Sequence, residues 1–139
     1  MKKFLLLVLL CIPSIALAQF NGGYDPYTTP IAASANGTTA ATVATLGAVA
    51  GKTTFLCGLS IRATATAATQ GFATVTGTIN GTMSFLESVS VTNSTVASLD
   101  PHISPTCIPA SAPNTPIVVT SIASGTGGLV SVNAWGYTR

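Results

Sequence analysis

Apolar and polar side chains alternate along most of the chain. In "TTFLCGLSIRAT", residues 53–64, Phe55, Cys57, Leu59, Ile61 and Ala63 fall on one side of an extended backbone, and Leu56, Gly58, Ser60, Arg62 and Thr64 on the other. A period of two belongs to a pleated strand with one face in a core. It puts Cys57 on that core face, so a bridge from it is expected to be buried. "TTAATVATLGAV" (38–49), "GFATVTGTI" (71–79), "TMSFLESVSV" (82–91), "PIVVTSIA" (116–123) and "LVSVNAWGY" (129–137) read as further strands. Within 71–79, Ala73, Val75 and Ile79 oppose Phe72, Thr74 and Thr76. Asn80-Gly81 is a two-residue hairpin signal, because both residues tolerate positive φ. Asn93-Ser94 closes the following arm, and "SGTGG" separates the last two strands. Short strands cut by such turns indicate a sandwich or a barrel.

Two segments lack the period. "QFNGGYDPYTTP" (19–30) mixes aromatics, glycine and proline and reads as an exposed N-terminal arm. "DPHISPTCIPASAPNTP" (100–116) is rich in proline, which donates nothing to a β-ladder. It is expected to run as an extended edge that crosses between sheets, pinned by Cys107.

The first residues change the charge picture. Lys2 and Lys3 precede the apolar run "FLLLVLLCI", Pro13 breaks it, and Ala16-Leu17-Ala18 has the small-x-small spacing read by signal peptidase. The run is too short to span a bilayer, which needs about 20 apolar residues. Residues 1–18 are therefore read as a signal peptide cut before Gln19, and the chain as exported to the periplasm or beyond, with no membrane span after cleavage. The remaining 121 residues keep Lys52, Arg62 and Arg139 against Asp25, Glu87 and Asp100. That balance is neutral, so no basic surface is present to attract nucleic acid. Low charge also removes one ordinary barrier to self-association. Residues 31–139 suffice for one domain with a core. Cys57 and Cys107, left as a pair in an exported chain, are expected to form a disulfide that closes a fifty-residue loop.

Candidate chemistry is sparse. "GAVAGKTT" (47–54) resembles a phosphate loop, but only three residues separate Gly47 from Gly51, where G-x-x-x-x-G-K-[ST] needs four, and a strand rather than a helix follows. It reads as a hairpin turn. His102, the one histidine, lies beside Asp100 without a nucleophile elbow, so no triad forms. Nothing brings Glu87 and Asp100 together as a glycosidase pair. A zinc site needs three or four ligands, and the disulfide consumes both cysteines. No catalytic residue, cofactor or metal is expected, and the chain is not read as an enzyme. Tyr24, Tyr27, Trp135 and Tyr137 are the side chains best suited to a binding surface. The plainer reading packs Trp135 in the core and leaves the tyrosines on a loose arm.

The order "ATLGAVAGKTTFLCGLSI", a Thr/Gly-rich hairpin, then "IPASAPNTPIVVTSIASGTGGLVSVNAWGY" resembles a group of small virion-associated β-sandwich proteins of bacteriophages and prophages, across nearly all of residues 31–137. The resemblance rests on turn and packing residues and implies a fold and a virion role, with no catalytic residue. A signal peptide and the two cysteines depart from that group. The expectation is one all-β domain: an antiparallel sandwich of jelly-roll type, with about eight strands and one disulfide. It is expected to act as a non-enzymatic exported structural or surface protein of phage-like origin, through protein contacts or self-association. The alternative is a secreted binding module for carbohydrate, using Trp135 or the Tyr24/Tyr27 arm.

Overall fold

The computed structural model describes residues 27–38, 40–65, 69–89, 97–101, 103, 106–125 and 127–139. The expected signal segment, most of the expected 19–30 arm and the expected turn at Asn93-Ser94 lie outside the described residues. No helix occurs among those described. The strands are β1 (Thr29–Gly37), β2 (Val43–Leu46), β3 (Thr54–Thr64), β4 (Thr69–Thr78), β5 (Gly81–Val89), β6 (Ala97–Leu99), β7 (Ile108–Pro109), β8 (Ile117–Thr120) and β9 (Leu129–Thr138). Among the described residues they number nine, against about eight expected, and β7 is only two residues long.

Two antiparallel sheets result. The larger has the order β1-β9-β3-β6, with β7 also on β3, and the smaller has the order β2-β8-β4-β5. The pairings nest: β4 pairs with β5, β3 with β6, β2 with β8 and β1 with β9. The chain is thus one long hairpin, closed at Ile79-Asn80 and folded so that successive pairs fall into alternate sheets. Lateral pairing of β9 with β3 and of β8 with β4 completes each sheet. Between the sheets lie Leu56, Leu59, Ile61, Ala63, Val130, Val132 and Ala134 from one side, and Ala44, Leu46, Ala73, Val75, Ile117 and Val119 from the other. Many of these residues are small. Burying each Val, Leu or Ile side chain contributes about 1.5–3 kcal/mol before the ordering cost, and each alanine less.

Three places depart from strict alternation. In β3 the register with β9 shifts between Leu56, opposite Gly136, and Gly58, opposite Trp135, leaving Cys57 as the extra residue of a bulge. Leu56 therefore points inward with Leu59 and Ile61, all at most 1% exposed, while Phe55 and Cys57 lie half-buried on the outer face. This corrects the expected parity, which set Phe55 and Cys57 on the core face. In β4, Gly77 has φ +82° at a register shift between Val75 and Thr78. Thr78 turns inward at 2% exposed and Ile79 outward at 64%, the reverse of the simple period. At the tip, Gly81 takes a positive φ of 75° and Asn80 does not, so a bend at Ile79-Asn80 followed by Gly81 makes the turn. The Thr78 hydroxyl donates to Gly81 O at 2.8 Å and closes it.

The remaining differences concern weak signals. β1 begins at Thr29, inside the expected arm, and its alternation of Ile31, Ala33 and Ala35 with outward Ala32, Ser34 and Asn36 carries little contrast. Only Val43–Leu46 of the expected strand 38–49 is extended into a ladder. The proline-rich segment crosses between sheets as read from the sequence. Ile108-Pro109 pairs with β3, and Ala110 bridges to Thr78 of the other sheet. Its backbone donates from Ala110 to Thr54 O at 2.7 Å and from Ser111 to Gly77 O at 2.9 Å.

A Cβ on Gly77 meets Pro116 O at 2.2 Å, in a backbone conformation that L side chains rarely adopt. Gly77→Ala is expected to lower stability in urea unfolding by about 1–3 kcal/mol. Gly47→Ala, whose Cβ meets nothing within 4 Å, is expected to stay within about 0.5 kcal/mol of the wild type.

Candidate functional surfaces

The Gly51-Lys52 loop has no free phosphate cradle. The Gly51 N–H donates to Asn114 Oδ1 at 2.6 Å, the Lys52 N–H to Val49 O at 3.0 Å, and the Thr53 N–H to Arg139 O at 2.8 Å. The three N–H groups that would wrap an anion are already satisfied within the fold. The loop joins β2 and β3, which lie in opposite sheets, so it is a corner of the sandwich and not the hairpin turn expected.

Trp135, Tyr137 and Phe55 converge on the outer face of the larger sheet. Tyr137 and Phe55 are cross-strand partners with stacked rings, 4.7 Å between centroids and 15° apart in plane. Trp135 lies over Gly58: a Cβ there falls 2.4 Å from the indole Cζ2, so only glycine lets the ring lie flat on the strand. Trp135 is half-buried and outside the core, which sets aside the core-packing reading. Tyr27 is 74% exposed, two residues before β1, whose first residue pairs with Thr138 beside Tyr137. Tyr24 and His102 lie outside the described residues.

The disulfide joins Cys57 to Cys107 as expected, with Cα atoms 4.2 Å apart across a separation of 50 residues. Its position is not as expected, because the β3 bulge leaves both cysteines half-buried on the outer side.

The acidic groups stand apart in environment. Asp100 pairs with Arg62 at 2.9 Å on the surface, with both side chains well exposed, a contact worth about 1 kcal/mol or less. Arg62 and Leu129 line an open groove of about 380 Å³ at the far end of the larger sheet. Glu87 instead points between the sheets from β5 and is 4% exposed. Its Oε2 accepts the Ile122 N–H at 3.1 Å, while Oε1 has no partner among the described residues. Burial pushes its pKa above the usual carboxylate range, and the Ile122 hydrogen bond opposes this only in part. No group of three or more His, Cys, Asp or Glu that could hold a metal occurs among the described residues.

A further surface went unread in the sequence. The β4–β5 hairpin exposes Phe72 at 63%, Ile79 at 64% and Leu86 at 67%, and Phe72 and Leu86 are direct cross-strand partners. On its inner face Met83 and Phe85 are only half-buried; among the described residues the strand of the opposite sheet nearest β5 is the three-residue β6. Elsewhere the outer face of the smaller sheet presents Val43, Thr45, Val118, Thr120, Thr74 and Ser84, and none of its outward described residues is charged. The signal was present in the sequence. Phe72 and Leu86 are large apolar residues at positions whose period assigns them to solvent.

Comparison of the chain with protein-family models and with curated proteins finds no match. No helix among the described residues is long and apolar enough to cross a membrane.

Two consequences are measurable. Cys57→Ser removes the loop constraint, and in the chain-entropy treatment stability falls by about 2–4 kcal/mol, read by denaturant unfolding. Because the cysteines are half-exposed, a mild reductant should produce the same loss without denaturant. Glu87 holds its proton in the folded state to higher pH than in the unfolded chain. Its stabilising contribution is complete below the ordinary carboxylate range and is lost as pH rises through the raised folded value. Wild-type stability should therefore decline relative to Glu87→Gln as pH rises from the ordinary carboxylate range through the raised folded value. A constant difference across that range is the opposing result.

Proposed function

We propose that this chain is a non-enzymatic exported structural protein, of phage-like origin, that works through protein–protein contacts at the β4–β5 hairpin. The observation that carries the reading is the pairing of Phe72 with Leu86, both mostly exposed, on an uncharged sheet face. Monomeric surfaces seldom present large contiguous apolar patches without a partner. The disulfide favours an oxidising compartment.

The jelly-roll reading of the fold draws on the nesting of four strand pairs across two sheets, β1 with β9, β2 with β8, β3 with β6 and β4 with β5. That architecture is common in capsid and lectin domains, which agrees with the resemblance to virion-associated sandwich proteins.

A second reading, a secreted carbohydrate-binding module, draws support from the half-exposed Trp135 above Gly58, with Asn133 and Ser60 paired on the same sheet face. Glycan binding abolished by Trp135→Ala would favour it over the first.

The test of the leading reading is fractionation of producing cells. Wild type is expected in particles or surface assemblies, and the double variant Phe72→Ser/Leu86→Ser in the unassembled pool, with an unchanged circular-dichroism spectrum. Wild-type protein found wholly unassembled is the contrary result.

A further inference from the structure

Resting on the contact reading above, we infer that β5 is a self-pairing edge: two copies of this chain join β5 to β5 antiparallel, merging their smaller sheets across a two-fold axis. Among the described residues β5 pairs with β4 alone, so the nine-residue strand Gly81–Val89 leaves one side of its ladder without a strand partner. Protein edges are normally blunted by lysine, proline, a short length, an inward-pointing charge or a covering element. Among the described residues β5 has only the inward Glu87, whose carboxylate is held within its own fold by the Ile122 N–H. "GTMSFLESV" has no lysine and no proline, and it is longer than β2, the opposite edge of the same sheet, at four residues.

The occupant follows from charge and symmetry. Thr82, Ser84, Leu86 and Ser88 point outward from β5 and are uncharged, so a second copy brings no like charges together. The one charged residue, Glu87, is turned inward and held by the Ile122 N–H. An antiparallel pair of identical strands is isologous, so each copy satisfies the other's free groups and the assembly closes at two. The pairing also covers the half-buried Met83 and Phe85, which β6 alone leaves partly open. A different protein partner would require complementary charge or shape, and this edge displays no charge to select one.

The test uses the full chain as processed by the producing cells. Light scattering after size exclusion at about 100 μM should give twice the chain mass. Leu86→Lys and Ser88→Lys, both at exposed positions, should raise the dimer dissociation constant at least about tenfold, since charges on a paired edge repel. Their melting temperatures should equal that of the wild-type monomer at high dilution. Val43→Lys, on the opposite edge, should leave the dimer intact. A monomeric wild type overturns the inference, as does a dimer broken by Val43→Lys and spared by Leu86→Lys. A photo-crosslinking phenylalanine analogue at position 86, used in cells, separates the two readings. A product of two identical chains supports self-pairing, whereas a product with another protein overturns self-pairing and leaves the contact reading standing. No product at all overturns both.

Discussion

The central constraint of this fold is the ladder between β3 and β9, with one residue too many on the β3 side. β9 also pairs with β1, so it lies inside the larger sheet and orders both neighbours. The extra residue, Cys57, changes which side chains enter the core halfway along β3. Leu56 enters, and Phe55 and the disulfide leave. The outer aromatic row, the flat seat of Trp135 on Gly58 and the half-exposed bridge all descend from that shift. The bridge then holds the proline-rich crossing against the same strand, where Ala110 and Ser111 tie β3 of one sheet to β4 of the other.

The two faces of the sandwich differ in character. The larger sheet carries rings packed against one another and against glycine, which satisfies much of their surface within the chain. The smaller sheet carries hydroxyls and short aliphatics, and its apolar side chains are left open. Dense β-branched residues suit a pleated surface but give solvent no charge to hold. A protein of this composition relies on threonine and serine for hydration, so a single exposed leucine weighs more than it does on a charged surface.

Much of the architecture was legible because it depends on period and composition. Strands β3, β4, β5 and β9, the Ile79–Gly81 turn region, the sheet-crossing prolines and the Cys57–Cys107 pairing all follow from local signals. Parity was not legible beyond a bulge. One inserted residue at Cys57 and one left-handed glycine at Gly77 each invert the pattern, and both are fixed by partners far along the chain. β1 escaped notice because alanine against serine gives almost no contrast in hydropathy. Trp135, by contrast, obeys the period: it alternates with Val130, Val132 and Ala134 and lies on the outer face with Ser131 and Asn133. Glu87 illustrates the limit set by distant partners: its alternation partners are apolar, and the burial of a carboxylate among them depends on the Ile122 N–H, 35 residues further along the chain.

The nested pairing also bears on how the molecule comes into being. Its outermost pair joins Thr29 to Thr138, and the strand between β1 and β3 in the larger sheet is the last in chain order among the described strands. Until residues 129–138 have emerged, β1 and β3 have no shared neighbour and the core has no second wall over that region. Contacts of such long sequence separation slow folding. The larger sheet therefore closes only when residues 129–138 join strands that precede them by tens of residues.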